Sequence, residues 1–153
     1  MTTYRRASEA DVPALARLRR DMAAEEHPDE PEDPAFEAAF AQFARGALRE
    51  RWTAWVADDG GTIVATAWVH AVPKVPRPNR PARSLGYLTN VYTAPSARDR
   101  GVGSELLRHV DEWAEGEGLE LLVVWPSERS VAFYERAGFV ATDALQRDVL
   151  GYD

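Results

Sequence analysis

The 153-residue sequence contains no cysteine, which excludes disulfide bonds, thiolate metal sites and cysteine nucleophiles. No apolar run approaches the roughly 18 residues that a membrane-spanning helix needs, so we expect no membrane partner. The opening residues MTTYRRASEA lack the apolar stretch of a secretory signal. These absences are compatible with a cytoplasmic protein, and we expect that location.

Cationic residues are also scarce, since 18 Lys and Arg face 25 Asp and Glu, for a formal charge of −7. Nucleic-acid binding needs a concentrated positive surface, so we expect no nucleic-acid partner. The charge is uneven: residues 25–33 hold six carboxylates, whereas residues 73–83 hold four cations and four prolines. The acidic segment has no metal-ligand spacing, and we predict no metal site. The two segments favour acceptors of opposite charge, so charge leaves the substrate open.

The length suits one domain over residues 1–153. Hydrophobic periodicity and turn residues predict the order of its elements. They are a strand at 2–7, helices from about 8 and 34, a hairpin of 53–58 with 62–72, a strand at 84–93, a helix after 101, a buried strand at 119–125, a helix at 127–137 and closing strands at 139–142 and 145–150. This order is typical of a mixed α/β (α+β) fold rather than a regular alternation of strands and helices.

The stretch TAPSARDRGVGSELL, residues 93–107, joins a predicted strand to a predicted helix through a glycine-bearing turn. The first N–H groups of a helix have no intrahelical partner, and glycines let an anion approach them closely. Arg98 and Arg100 add positive charge there. A P-loop needs Gly-Lys-Ser/Thr, and a dinucleotide fingerprint needs a third glycine where Leu106 stands, so neither motif fits. The residues alone leave an anion site and an ordinary surface turn as alternatives.

The pattern Arg98-x-x-Gly101-x-Gly103, after YLTNVYTAP and before SELL, resembles the acetyl-coenzyme A signature of GNAT-type N-acetyltransferases. The segment WPSERSVAFYERAGF is similar to the late helix of that family, and YRRASEADVPALARLRR is similar to its usual beginning. The resemblance covers nearly the whole chain. Two positions depart from it: Asp99 stands where glycine is common, and Ser127 stands where asparagine is frequent.

The resemblance implies a central mixed, mostly antiparallel sheet, splayed at the fourth and fifth strands and flanked by about four helices. It implies acetyl-CoA as cofactor, with backbone groups of the splayed strand on the thioester and pantetheine, and the turn on the diphosphate. Asp99 would then have to point away from the phosphates. The predicted cofactor-binding residues are Val91, Tyr92, Thr93, Arg98, Asp99, Arg100, Gly101, Val102, Gly103 and Ser104.

Tyr134, at the position of the family's tyrosine, is the predicted catalytic acid. A phenol with a pKa near ~10 can protonate a thiolate whose conjugate acid has a pKa near ~8.5. The alternative is an aromatic ring packed in the core beside Phe133 and Phe139. No acidic residue lies in the strand at 84–93, so the base is open between His70 and, as the favoured route, ordered water or backbone carbonyls.

The predicted function is acetyl-CoA-dependent transfer of an acetyl group to a primary amine of a small molecule or peptide. Direct attack is expected, because no cysteine can carry an acyl-enzyme intermediate. The alternative is a non-catalytic module that binds acyl-CoA and regulates a partner. A homodimer is also open, since dimers are common in proteins of this type and no sequence feature fixes an interface.

Overall fold

A computed structural model of the chain describes residues 1–151. In this range the strands are β1 (Thr2–Arg6), β2 (Trp52–Asp59), β3 (Thr62–Pro73), β4 (Ser84–Thr93) and β5 (Leu122–Val123). The helices are α1 (Val12–Glu26), α2 (Phe36–Ala47), α3 (Val102–Gly116) and α4 (Val131–Arg136). None of these helices is both long enough and apolar enough to cross a bilayer.

The five strands form one sheet in the order β1-β2-β3-β4-β5. The first four pair antiparallel, and β5 pairs parallel to β4, so the predicted mixed, mostly antiparallel sheet is confirmed. Helices α1 and α2 cover one face over a core that includes Leu15, Phe40 and Val56. Helices α3 and α4 cover the other face over a core that includes Leu88 and Leu106. Because side chains alternate along a strand, β2, β3 and β4 each supply residues to both cores.

The start of α1 is anchored to the sheet by a buried carboxylate. Asp11 accepts two hydrogen bonds from the Arg5 guanidinium on β1, at 2.8 and 3.0 Å, and one from the Ser8 amide at 2.7 Å. The same guanidinium donates to Asp58 on β2 at 3.0 Å. The hydrogen bonds from Arg5 lower the pKa of Asp11, so the carboxylate stays charged and holds the helix in place.

The fifth strand is much shorter than the strand predicted at 119–125. It pairs only through Gly86 with Leu122 and Tyr87 with Val123, because β4 diverges beyond that point. The contact is close: a Cβ on Gly86 would lie 2.6 Å from a methyl group of Leu122. A side chain at this position would therefore force the side chains of Leu122, Val69 and Leu119 to shift, whereas glycine leaves them room to pack against β4.

The closing strands predicted at 139–142 and 145–150 are wrong, since the structure has no strand in either segment. Alternating apolar residues make a strand only where a neighbouring edge supplies hydrogen bonds and a core to cover. Here the apolar side chains face solvent: Val140 is 80% exposed and Leu145 is fully exposed. These two segments have the alternating apolar pattern of strands but no neighbouring strand edge to pair with.

Candidate functional site

A cavity of about 1130 Å³ opens between the end of α1, the diverging end of β4, the start of α3 and α4. Nine of the ten predicted cofactor residues line it, from Val91 on β4 to Ser104 on α3. Arg100 does not line it, because its guanidinium turns toward the hairpin of β2 and β3 and lies 3.5 Å from the Asp59 carboxylate. This volume exceeds that of many small-molecule pockets, so the cavity has room for a long ligand together with a second small molecule.

The inner wall of the cavity is the free edge of β4. The pairing with β3 shifts between Thr66 and Trp68, so that Asn90 and Val91 both lie opposite Ala67. Asn90 takes a left-handed conformation with φ of 53°, as expected at a bulge. Beyond Tyr87 no strand pairs with the outer edge of β4 in the described residues. Backbone groups of this edge are therefore free to bind an extended ligand, much as a further strand would.

A run of free backbone amides follows β4. Within residues 1–151, none of the amides from Asp99 to Ser104 donates to a protein acceptor, and the first intrahelical bond of α3 runs from the Glu105 amide to the Gly101 carbonyl. Six successive donors lie at the N-terminus of a 15-residue helix, with its dipole behind them, and such an arrangement is favourable for an anion.

Two glycines and an aspartate shape this turn. Gly101 has φ of 74° and Asp99 has φ of 60°, both in the left-handed region that glycine adopts most easily. This explains why glycine is expected at the position of Asp99. Gly103 serves a different purpose, since a Cβ there would lie 3.2 Å from both the Phe133 ring and the Thr93 hydroxyl. Gly103 thus lets α3 approach α4 and β4 closely.

The side chain of Arg98 is held by protein groups. Its Nη2 donates to both oxygens of Glu25, at 2.8 and 2.7 Å, and its Nε donates to the Thr93 carbonyl at 3.0 Å. The Tyr92 hydroxyl donates to the same Glu25 carboxylate at 2.5 Å. The hydrogen bonds from Tyr92 and Arg98 lower the pKa of Glu25, while burial and the carboxylate raise the pKa of Tyr92 to about 12. The network ties the end of α1 to the turn between β4 and α3.

We expect Glu25→Gln to lower the free energy of unfolding by about 1 kcal/mol at neutral pH, because the exposed Arg98 loses a partly screened ion pair. The pKa of Glu25 is lower in the folded chain than its ordinary value of 4.5. Its contribution is therefore complete above that value and is lost as the pH falls through the folded-state pKa. Denaturant unfolding across this pH range measures it.

Glu26→Gln is the matched control, since Glu26 is an exposed neighbour on the same cavity. It should change stability by less than about 0.5 kcal/mol, as for most surface substitutions. Equal losses in the two variants would contradict the role of Glu25.

Tyr134 lies on α4 at the wall of the same cavity. Its ring packs edge-on against Phe133 and Phe139, with centroids 5.2 and 5.5 Å apart, and the residue is 8% exposed. Tyr134 therefore packs against the two rings and also reaches the cavity. Burial raises the pKa of Tyr134 to about 12, so its hydroxyl stays protonated at neutral pH and is available as a donor.

Other polar residues of the site were missed from the sequence or lie elsewhere. Arg129 and Arg136 line the cavity and form no ion pair with any carboxylate among the described residues. Both arginines lie in the segment WPSERSVAFYERAGF, and that motif was the sequence signal that could have identified them.

Ser127 lines the cavity and donates its hydroxyl to Ser130 at 3.0 Å. His70 is absent from the lining and packs edge-on against Trp52, with ring centroids 4.8 Å apart.

Comparisons with known proteins test the resemblance that the motifs suggested. The sequence matches the acetyltransferase (GNAT) family over residues 12–139. A curated relative, glucosamine 6-phosphate N-acetyltransferase of Trypanosoma brucei brucei, is 32% identical over 87 residues, which are 57% of this chain and 57% of that protein. The chain thus spans little more than half the length of this curated relative.

Two solved structures share the fold. An acetyltransferase of Trypanosoma brucei has a TM-score of 0.72 and 26% identity, covering 98% of this chain and 100% of that chain. A predicted acetyltransferase of Clostridium acetobutylicum, with acetyl-CoA, has a TM-score of 0.81 and 24% identity, covering 99% of each chain. The family match over most of the sequence and the shared fold confirm the prediction made from the motifs: the chain belongs to the acetyltransferase (GNAT) family.

Proposed function

We propose that this protein is an acetyl-CoA-dependent N-acetyltransferase that acts on a primary amine of a small molecule or peptide. One observation carries the proposal: a single cavity brings together the six free amides of residues 99–104, the free edge of β4 and the hydroxyl-bearing ring of Tyr134. These are a diphosphate site, a site for an extended chain and a proton donor.

The residues present fit coenzyme A. The amides of residues 99–104 would hold the diphosphate, and backbone groups of Val91 and Thr93 would hold the pantetheine arm and the thioester carbonyl. Arg129 and Arg136 supply cations for the phosphates, whereas the charge of Arg98 is already neutralised by Glu25. When bound, the cofactor supplies an acetyl group activated as a thioester.

Tyr134 would hold the proton that the departing sulfur needs. Its phenol is protonated well above neutral pH, and its ring is fixed between two neighbouring rings. The attacking amine must be neutral, and β4 carries no carboxylate that would take its proton. We assign that proton to water at the cavity mouth, which backbone carbonyls of β4 would orient.

Glucosamine 6-phosphate, the substrate in the name of the Trypanosoma brucei brucei relative, is one candidate acceptor. Arg19 and Arg129 on the cavity wall are the observation that favours it, because a sugar phosphate needs cationic partners. A non-catalytic module that only binds acyl-CoA remains the alternative to an enzyme.

Release of free thiol from acetyl-CoA, measured with a panel of polyamines, amino acids, aminoglycosides, arylalkylamines, glucosamine 6-phosphate and peptides, tests the proposal. We expect turnover with at least one amine and none without an acceptor. Binding of coenzyme A with no turnover across the panel would favour the regulatory module instead.

A further inference from the structure

Aromatic rings form a second group among the residues that line the cavity. They come from five separate elements of the chain, and all of them line the cavity. The residues are Phe40 and Phe43 on α2, Trp52 on β2, Trp68 on β3, Tyr87 on β4 and Trp125 after β5. We call these six residues the aromatic wall.

The rings of the aromatic wall contact one another in a continuous series. Phe43 lies against Trp68 and Trp52, with centroids 6.3 and 6.4 Å apart. Trp52 then meets Tyr87 at 6.3 Å, and Tyr87 meets Trp125 edge-on at 5.3 Å. Stacked, tilted and edge-on pairs at these distances are favourable, so the rings support one another's orientations. The wall is a preformed surface rather than a set of independent side chains.

Part of this wall faces solvent although it is apolar. Phe43 is 51% exposed and Trp125 is 63% exposed, whereas Trp68 behind them is buried. Exposed aromatic rings that share one concave site are typical of a surface that a ligand covers. Continuity with the amide run and Tyr134 in one cavity places that ligand beside the expected thioester.

The charges around the wall favour an amine with a flat apolar body. The faces of tryptophan and tyrosine attract a cation, and the exposed carboxylate of Glu26 lines the same cavity. Glu25 offers no second free charge, because Arg98 neutralises it. A hexosamine carries a hydroxyl on most of its carbons, and the wall offers rings where those hydroxyls would need polar partners. Arg19 and Arg129 are the lining groups that would suit an anionic acceptor.

We propose that the acceptor is an arylalkylamine, a primary amine joined by a short chain to an aromatic ring that packs on the aromatic wall. This assignment rests on the proposed function. In the reaction the amine nitrogen bonds to the acetyl carbon, the carbon–sulfur bond breaks, the nitrogen loses a proton and the sulfur gains one. The products are the N-acetyl arylalkylamine and free coenzyme A.

Initial rates with phenylethylamine, tryptamine, spermidine and glucosamine 6-phosphate test the assignment. We expect kcat/KM for the two arylalkylamines to exceed that for the others by at least about tenfold, the discrimination that ring contacts of this number supply. A higher kcat/KM for glucosamine 6-phosphate or spermidine would overturn it.

Variants locate the effect. Phe43→Ala and Trp125→Ala should each raise KM for tryptamine by about fivefold to tenfold and leave kcat and the KM for acetyl-CoA within about twofold. Both side chains are half exposed or more, so these variants should fold. Leu121→Ala is the control, since Leu121 is 50% exposed and lies outside the cavity lining. An unchanged KM in both aromatic variants would overturn the proposal.

A failure of the proposed function is separable from a failure of this inference. If coenzyme A binds but no amine is acetylated, the proposed function fails, and calorimetry of tryptamine with the coenzyme A complex then decides the role of the wall. Saturable binding that Phe43→Ala weakens supports an arylalkylamine site, and no binding overturns it.

Discussion

Tyr134→Phe is expected to lower kcat for acetyl transfer by about 100- to 1000-fold, the usual worth of a positioned proton donor. The Kd for coenzyme A should stay within about twofold, because the substitution removes one oxygen and keeps the ring. That ring packs between Phe133 and Phe139, so the fold should be unaffected. Steady-state kinetics measures kcat, and calorimetric titration measures the Kd for coenzyme A.

The pH dependence separates Tyr134 from groups that titrate near neutrality. Burial raises the pKa of Tyr134 to about 12 from the ordinary value of 10.0, so the hydroxyl stays protonated at neutral and mildly alkaline pH. We therefore expect no fall in kcat on the alkaline side from this group below a pH of about 10. Because the folded-state pKa is raised, the wild-type chain loses stability relative to Tyr134→Phe as the pH rises from 10.0 toward about 12.

Tyr87→Phe is the matched control for this experiment. Tyr87 lines the same cavity, and the substitution removes the same atom while leaving the ring against Trp125. Its kcat should stay within about twofold of wild type, because the ring that forms part of the aromatic wall is kept and only a hydroxyl with no assigned role is lost. If Tyr134→Phe retained full kcat, another group would have to protonate the thiolate and the assignment of Tyr134 would be wrong.

Gly103→Asp is expected to weaken coenzyme A binding by more than about 100-fold, which combines steric block with repulsion of the diphosphate by the new carboxylate. The position is already crowded, since a Cβ would lie 3.2 Å from both Phe133 and Thr93. The added carboxylate would stand at the first turn of α3, where the free amides lie. Calorimetric titration with coenzyme A measures the loss.

Two further variants keep this prediction testable if Gly103→Asp does not fold. Ser104→Asp places the same charge on the next residue, where an acidic side chain stabilises the helix N-terminus, and it should still weaken binding. Gly116→Asp makes the same change at the other end of α3, where a Cβ meets nothing within 4 Å, and it should leave binding unchanged. Equal affinity in Ser104→Asp and wild type would contradict the diphosphate site.

The parts of the fold and site with local sequence signals were predictable. Residues 84–93 form β4 as expected, because the segment has an apolar pattern bounded by a proline-rich loop and a glycine turn. The glycine turn before α3 was predictable for the same reason: its glycines and the helix that follows are close neighbours in the chain. The length of β5 depends on where it diverges from β4, and no local sequence pattern encodes that point. The strand predicted at 119–125 was therefore too long.

The rest of the site depends on contacts between distant residues. Arg98 meets Glu25 across 73 positions, so its charge is neutralised by a partner that the motif does not contain. The six rings of the aromatic wall are spread from Phe40 to Trp125, and each one reads locally as an ordinary core residue. Only the folded sheet brings these groups to one cavity.

The most direct test of the account is a titration of the ¹⁵N-labelled protein with coenzyme A, followed through its backbone amide NMR signals. We predict that the largest shifts fall on the amides of residues 99–104 and on the outer edge of β4, from Val91 to Thr93. Binding that leaves those amides unshifted, or the absence of any saturable shift, would contradict a diphosphate held at the start of α3.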